Sequence, residues 1–437
     1  MTTDDQLSLT PKQQRRLHIL TRLLAGHCSA SEAAQLLGLS VRQLWRLKAA
    51  YQRDGLGGLV HGNRGRPKPW RIDDDLKDRI RSLVAEHYAD CNDSHLVEIL
   101  VREHEIPLSR PSLSRILRTH GHPSPQHRRA PRHRRRRDRY SQIGMLLQVD
   151  GSPHHWLGPD QPRSTLIAAI DDATSAVVAA VFRAQEDAHG YFLVLQQILA
   201  AHGLPMALYH DRHGIFRREP GARWTLDEEL AGRQEPTQFG RALEELGIGS
   251  IAALSPQAKG RIERLWGTLQ GRLVPELRLA GARTLEQAQA FLPTYLERHN
   301  ARFAVAANEP LSSYRPVPPG LDLERVLSFR YARVVANDNT VRFAGHVLQL
   351  PPGPGRRSYA RAHVWVHELL DGSLGVFYED RWLLRTDPPP SPPVLRARHG
   401  PQIHPREPGP PPKTPPDPPP APKPRWRPGP NHPWRRS

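Results

Sequence analysis

The spacing of apolar positions changes character several times along the chain. Over residues 11–60 it is helical, and two capping signals punctuate it. Ser29 with Glu32 precedes Ala33, Ala34, Leu36 and Leu37; Gly38 breaks the run; Ser40 with Gln43 then opens a second run carried by Val41, Leu44, Trp45 and Leu47. Two short helices around a glycine turn predict a helix-turn-helix within 1–60. Its second helix turns Arg42, Gln43, Arg46 and Lys48 to solvent, the residue types that read base edges and grip phosphates. A further helical unit is predicted over 73–121, from Ile80, Leu83 and Val84, then Leu96, Ile99 and Leu100, then Leu113, Ile116 and Leu117. Arg110, Arg115 and Arg118 make its last helix basic, so it reads as a second DNA-binding unit.

From residue 145 the period shortens to that of strands. MLLQVD (145–150), STLIAAID (164–171) and SAVVAAVF (175–182) predict three strands joined by turns, followed by a helix over 186–202 and a strand MALYH (206–210). A helical crossover makes the fourth strand parallel to the first, and its natural place is beside it. Asp150 then ends the first strand and Asp211 follows the fourth, both at the edge where open α/β sheets hold ligands. Helices are predicted near 237–246, 257–273 and 284–299, and the polar stretch 217–236, with Pro220 and Pro236, reads as an insertion. Residues 325–386 turn β-rich again and predict a small barrel-like β domain.

One acidic residue fits its surroundings poorly. Ile262, Leu265, Trp266, Leu269 and Leu273 form one buried stripe at helical spacing, and Glu263 lies beside it with Lys259 and Arg261 close by. A helix packed across the sheet by that stripe can aim Glu263 at the edge holding Asp150 and Asp211. Three carboxylates without a histidine or cysteine suit Mg²⁺ or Mn²⁺. Two such ions would balance the three carboxylates and one phosphate. The bland alternative makes Asp150 and Asp211 turn residues and pairs Glu263 with Lys259.

Charge narrows the class of partner. The 437 residues carry 62 Lys+Arg against 44 Asp+Glu, a net charge of +18, which favours a polyanion, and nucleic acid is the usual one. The basic residues concentrate in linkers. Residues 61–72 form a Gly/Pro/basic connection that reads either as a plain tether or as an element whose Arg64 and Arg66 lie in a minor groove. Residues 122–140 include eight arginines between 127 and 139, among them Arg134, Arg135, Arg136 and Arg137, with almost nothing apolar to bury. Such a run is expected to track a phosphate backbone. From Pro388 to the end there are 21 of the 45 prolines and two acidic residues, so 387–437 is expected to be a disordered basic tail. Cys28 and Cys91 are isolated, which excludes a disulfide scaffold and a Cys-rich zinc module. No apolar run approaches the roughly 18 residues of a membrane span. The opening MTTDDQLSLT is polar and acidic, so neither a span nor a signal peptide is expected, and the expected location is the cytoplasm, at the nucleoid.

LLQVDGSPHHW, LIAAIDDATSAVVAAVF, YHDRHGIF and SPQAKGRIERLWGTLQGRLVPELRLAG together resemble the catalytic motifs of the DDE transposases, nearest to the ISNCY-type bacterial insertion sequences of the integrase-core superfamily. The resemblance spans 11–370 and is strongest over 145–305. It implies a multidomain α/β chain with helix-turn-helix units, an RNase H-like mixed-sheet core over 141–305 and a small C-terminal β domain. It also implies that Asp150, Asp211 and Glu263 are a metal-binding catalytic triad for two Mg²⁺ or Mn²⁺ ions. The implied activity is binding of terminal inverted repeats, hydrolysis that frees a 3′-OH, and attack of that hydroxyl on target DNA by at least a dimer. Lys259 and Arg261 are then expected near the cut DNA, and Asp171 and Asp172 in a structural turn, with His154, His155 and His213 nearby. The interval from Asp211 to Glu263 is longer than in integrase-type relatives, which the 217–236 insertion explains. No zinc module precedes the core. The competing reading is a non-catalytic, transposase-derived DNA-binding repressor or an inactive remnant.

Overall fold

A computed structural model of the chain describes residues 10–60, 71–123, 137–218, 229, 234–253, 259–354, 357–390 and 394–398. Arg64, Arg66, Arg134, Arg135, Arg136 and the segment 399–437 lie outside the described residues. The chain divides into two compact units, Met1–Ala89 and Asp90–Ser437.

The first unit holds α1 (Pro11–Leu24), α2 (Ala30–Leu37), α3 (Val41–Asp54) and α4 (Asp74–His87). The first three helices each open with a reciprocal capping box, from Thr10 with Gln13, Ser29 with Glu32 and Ser40 with Gln43. Gly38 joins α2 to α3 at φ 64°, a left-handed conformation that glycine adopts without strain. Leu20, Ala33, Ala34, Leu44 and Leu59 close the small core. The inward stripe of α3 is Leu44, Leu47 and Tyr51. Val41 and Trp45 do not belong to it as expected: one step off the stripe, they are 43% and 47% exposed.

The division at residue 89 falls inside the 73–121 span, with α4 in the first unit. In the second unit, α5 (Asp93–His104) and α6 (Arg110–Thr119) precede a five-stranded sheet. Its strands are β1 (Leu147–His154), β2 (Ser164–Asp171), β3 (Val177–Arg183), β4 (Ala207–His210) and β5 (Gly249–Ala252), in the order β3-β2-β1-β4-β5. β1, β2 and β3 are antiparallel neighbours, while β1, β4 and β5 run parallel. The helix α7 (Ala188–Ala201) makes the crossover from β3 to β4. This is the RNase H-like arrangement, and it adds β5, which the apolar pattern did not signal.

Strand alternation sorts the core into two layers. Leu147, Val149, Ile167, Ala169 and Val181 face one side, against Phe192, Leu195 and Ile198 of α7. Leu166, Ala168, Ile170 and Phe182 face the other, covered by α9 (Gly260–Gln270), α10 (Leu273–Leu279) and α11 (Leu285–Phe303) through Ile262, Leu265, Leu277 and Leu292. The helix expected over 257–273 is α9, which ends at Gln270; α10 follows after Gly271 and Arg272. Every residue of β2 is buried, because the strand has packing on both faces.

Between β4 and β5, α8 (Gln238–Glu245) packs with α7. The C-terminal strands β6 (Phe329–Val334), β9 (His363–Glu368), β10 (Leu374–Tyr378) and β11 (Arg381–Arg385) form an open antiparallel sheet, beside the hairpin β7 (Thr340–Phe343) and β8 (His346–Gln349). This sheet shares the α7 layer of the core: the rings of Phe192 and Phe329 stand 5.2 Å apart. Arg241 of α8 donates to the carbonyls of Val326 and Ser328.

Buried charge fixes α5 against α10 and α11. Glu276 accepts from His95 at 2.9 Å, from Arg102 at 3.0 Å and from Arg298 at 3.0 Å. Glu98 accepts from Arg272 and Arg302. Arg118 of α6 is spent on Asp93 at 2.7 Å, while Arg110 and Arg115 remain exposed.

Candidate active site

Asp150 does not end its strand as the sequence pattern predicts. β1 continues to His154 against β2, with Asp150 opposite Ala168. What ends near Asp150 is the parallel ladder to β4, which covers only Leu147↔Leu208 and Gln148↔Tyr209. The two strands then part, with Asp150 on one side of the gap and Asp211, directly after β4, on the other. Both are half-buried.

Asp211 is held in a turn, its Oδ1 accepting from the His213 backbone N–H at 3.0 Å. The preceding His210 is buried, its Nε2 hydrogen-bonded with the Ser250 hydroxyl at 2.8 Å and its ring stacked on Phe216. Burial pushes the His210 imidazole below its ordinary range, against the opposing pull of Asp211.

A third acid stands at this edge that the sequence reading passed over. β3 runs parallel to β1, so its carboxyl end emerges on the same side, and Glu186 follows it. The Glu186 carboxyl accepts from the Tyr191 hydroxyl at 2.6 Å. It also fills the space beside Gly151, lying 2.7 Å from where a Cβ there would stand. Burial chiefly, and then the charges of Asp150 and Asp211, push this carboxyl up, while the Tyr191 hydrogen bond and His213 oppose them. The edge rule that picked out Asp150 and Asp211 applies equally to Glu186.

Glu263 is exposed. Among the described residues, no three His, Cys, Asp or Glu side chains stand close enough to hold a metal ion. The stripe Ile262, Leu265, Trp266 and Leu269 anchors α9 on the sheet. Lys259 does not pair with Glu263. It is buried, and its Nζ donates to Asp150 Oδ1 at 2.6 Å. Trp266 Nε1 donates to Asp150 Oδ2 at 3.0 Å. Asp150 thus already holds one cation, the Lys259 ammonium, at a gap whose other donors are carboxylate oxygens. That donor set fits a hard divalent ion such as Mg²⁺ or Mn²⁺.

Arg261 and Arg137 also serve the fold, and Arg137 remains exposed. Both converge on Asp172, which is fully buried. Asp172 further accepts from Gln148 Nε2 at 2.7 Å and from the Tyr140 N–H at 3.1 Å. Arg139 donates to the carbonyls of Asp172 and Ala173. Asp171 takes the N–H groups of Gly144 and Thr174. Asp171 and Asp172 are therefore structural, as expected, and the arginine run ends anchored to the sheet. His154 packs edge-on against Trp156, and His155 bonds the Gln161 carbonyl.

Comparison with known proteins settles the family. The chain is 34% identical to the transposase y4bF of Sinorhizobium fredii over 379 residues, covering 86% of this chain and 80% of that protein. It is 30% identical to the transposase for insertion sequence IS1202 of Streptococcus pneumoniae over 405 residues, covering 84% of this chain and 85% of that one. The chain belongs to the transposases. A helix-turn-helix domain family matches residues 15–68, which take in α1, α2 and α3. The HTLV-2 integrase catalytic core domain in complex with magnesium superposes with a TM-score of 0.28 at 16% identity, over 38% of this chain and 92% of that one; at that score the likeness decides nothing.

In this transposase the exposed face of α3 carries Arg42, Trp45 and Arg46, with the Lys48 ammonium 4.9 Å from the centre of the Trp45 ring. Gln43 is exposed, but its side-chain oxygen accepts from the Ser40 N–H at 3.1 Å, so it serves as a cap. No helix among the described residues is long and apolar enough to cross a membrane.

Proposed function

We propose that this transposase binds the terminal inverted repeats of an insertion sequence, cleaves a phosphodiester at each end in a divalent-metal-dependent reaction, and joins the freed 3′-OH to target DNA. The observation that carries the reading is the gap between β1 and β4, where Asp150 and Asp211 flank one opening and a buried ammonium already neutralises Asp150. Asp150, Asp211 and Glu263 are the ligands we assign to Mg²⁺ or Mn²⁺, two ions matching three carboxylates and one phosphate. Bound there, such ions would activate the attacking oxygen and stabilise the leaving one.

The chain's own groups do the rest. Arg42, Arg46 and Lys48 on α3 would hold the repeat in the major groove. Arg64 and Arg66, and the run Arg134, Arg135, Arg136 and Arg137, would follow the backbone. Lys259, once it leaves Asp150, and Arg261 would lie against the phosphates beside the cut. Two ends must be held together, so the working form is at least a dimer assembled on DNA at the nucleoid.

The test is an assay with full-length protein, labelled end DNA and MgCl₂ or MnCl₂. Nicks at the element ends followed by joined products are expected. Protein that binds the ends and never nicks them with either metal is the non-catalytic repressor instead.

A further inference from the structure

The face of β1 that carries Asp150 is zipped to α9 by three polar rungs. Gln148 Oε1 accepts from the Ile262 N–H at 3.3 Å, Asp150 Oδ2 accepts from Trp266 Nε1 at 3.0 Å, and Gln270 Nε2 donates to Ser152 Oγ at 3.1 Å. The partners step by two residues along the strand and by four along the helix. Two strand residues advance about 6.7 Å and four helix residues about 6 Å, so the rungs stay in register. The first rung also repairs a defect. α9 has Lys259 at its N-cap, whose side chain caps no amide, so Gln148 takes the Ile262 N–H, one of the first-turn amides without an intrahelical acceptor. Asp172 accepts from Gln148 Nε2 and so fixes which end of that amide faces α9.

The middle rung bears on the reacting group. Trp266 is buried, its ring edge-on to Trp156 at 6.5 Å, and Leu265 and Leu269 of the same helix stripe are buried beside it. The indole therefore has little freedom to turn, and its N–H fixes Oδ2 of Asp150. Oδ1 is left to the cation, which in this structure is Lys259.

We propose that Trp266 is a positioning residue that orients Asp150 so that one carboxylate oxygen is presented to the divalent ion, with the Gln148 and Ser152 rungs setting the register that brings the indole there. The inference rests on the assignment of Asp150 as a metal ligand. Partners that orient a ligand typically carry tenfold to about a hundredfold in metal affinity or activity.

The experiment uses the full chain without DNA and measures Mn²⁺ affinity by electron paramagnetic resonance, then end cleavage at saturating end DNA. Trp266→Phe keeps a ring in the core and removes the N–H. Replacement of Trp266 by 3-benzothienylalanine keeps the volume too and removes only the donor. Both are expected to weaken Mn²⁺ about tenfold or more. They should lower kcat for cleavage and leave KM for end DNA unchanged. Loss with phenylalanine but wild-type behaviour with the isostere overturns the proposal, because packing alone then matters. Wild-type Mn²⁺ affinity in both overturns it as well. Asp150→Asn separates the two levels: if it too binds Mn²⁺ normally, the metal assignment itself has failed, whereas if it loses the ion while both Trp266 variants keep it, only the positioning role has.

Discussion

Lys259 Nζ lies 2.6 Å from Oδ1 of Asp150, with the lysine side chain 9% exposed and the aspartate 17%. A buried ammonium needs such a partner, and a half-buried carboxylate flanked by Asp211 and Glu186 needs a positive neighbour. The pair therefore stabilises the DNA-free site while occupying the oxygen that a divalent cation would use.

Competition between ammonium and metal gives the first prediction. Lys259→Met leaves Asp150 without its counter-ion and should cost about 3 kcal/mol of stability in chelator, within the range for breaking a buried pair. Adding MnCl₂ should raise the thermal midpoint of the variant more than that of the wild-type chain, because nothing then has to be displaced. Thermal melts with and without MnCl₂ check this, and equal shifts in the two proteins would contradict it.

The α3 face gives the second. Arg46→Ala should weaken binding to end DNA by about 1–3 kcal/mol and relax its sequence preference, as the loss of a base-edge contact does. Gln43→Ala should instead act mainly on stability, by about 1 kcal/mol, because its side chain caps α3. Footprints on end DNA and on scrambled DNA distinguish the two effects.

Glu276 carries a pH dependence. Burial pushes its carboxyl up, but hydrogen bonds from His95 and Arg102 and the charges of Arg102 and Arg298 outweigh that and hold it at about 2, below its ordinary 4.5. The folded chain thus binds this proton less tightly than the unfolded chain. The stabilisation is present in full above about pH 4.5 and is lost as the pH falls from there toward 2. Its size is on the order of 3 kcal/mol. Urea unfolding between pH 7 and pH 3 should show the wild-type chain losing more than half of this increment, and Glu276→Gln should be weaker at neutral pH with a flatter profile.

Much of this architecture is written in local pattern, and its failures share one cause. The capping boxes at Ser29 and Ser40, the strand 164–171 and the parallel placement of β4 beside β1 all follow from short-range rules, and the structure agrees with them. Side-chain partners between distant segments do not follow from such rules. Lys259 is four residues from Glu263 and 109 from Asp150, yet it bonds the latter. Nothing adjacent in sequence marks Glu186. Only the shared direction of β1, β3 and β4 brings it to the site. At Trp45 a stripe shifted by one residue still looks apolar, although the structure exposes the ring.

Glu263 supplies the sharpest test, because it is the exposed member of the assigned triad. It is exposed, so Glu263→Gln should fold with near wild-type stability and bind end DNA normally. If it is the third ligand in the DNA-bound state, cleavage and strand transfer should fall together by roughly a thousandfold or more, since one site serves both steps. Combining it with Asp150→Asn should add little, because members of one catalytic unit are not additive. Asp172→Asn should behave oppositely: its carboxylate holds Arg137, Gln148 and the Tyr140 N–H, so stability should drop first. Labelled-end cleavage in MgCl₂, beside a melting curve for each variant, decides the matter. Near wild-type nicking by Glu263→Gln would remove the glutamate from the site and leave Asp150 and Asp211 in need of another third acid, with Glu186, beside Gly151, the next to test.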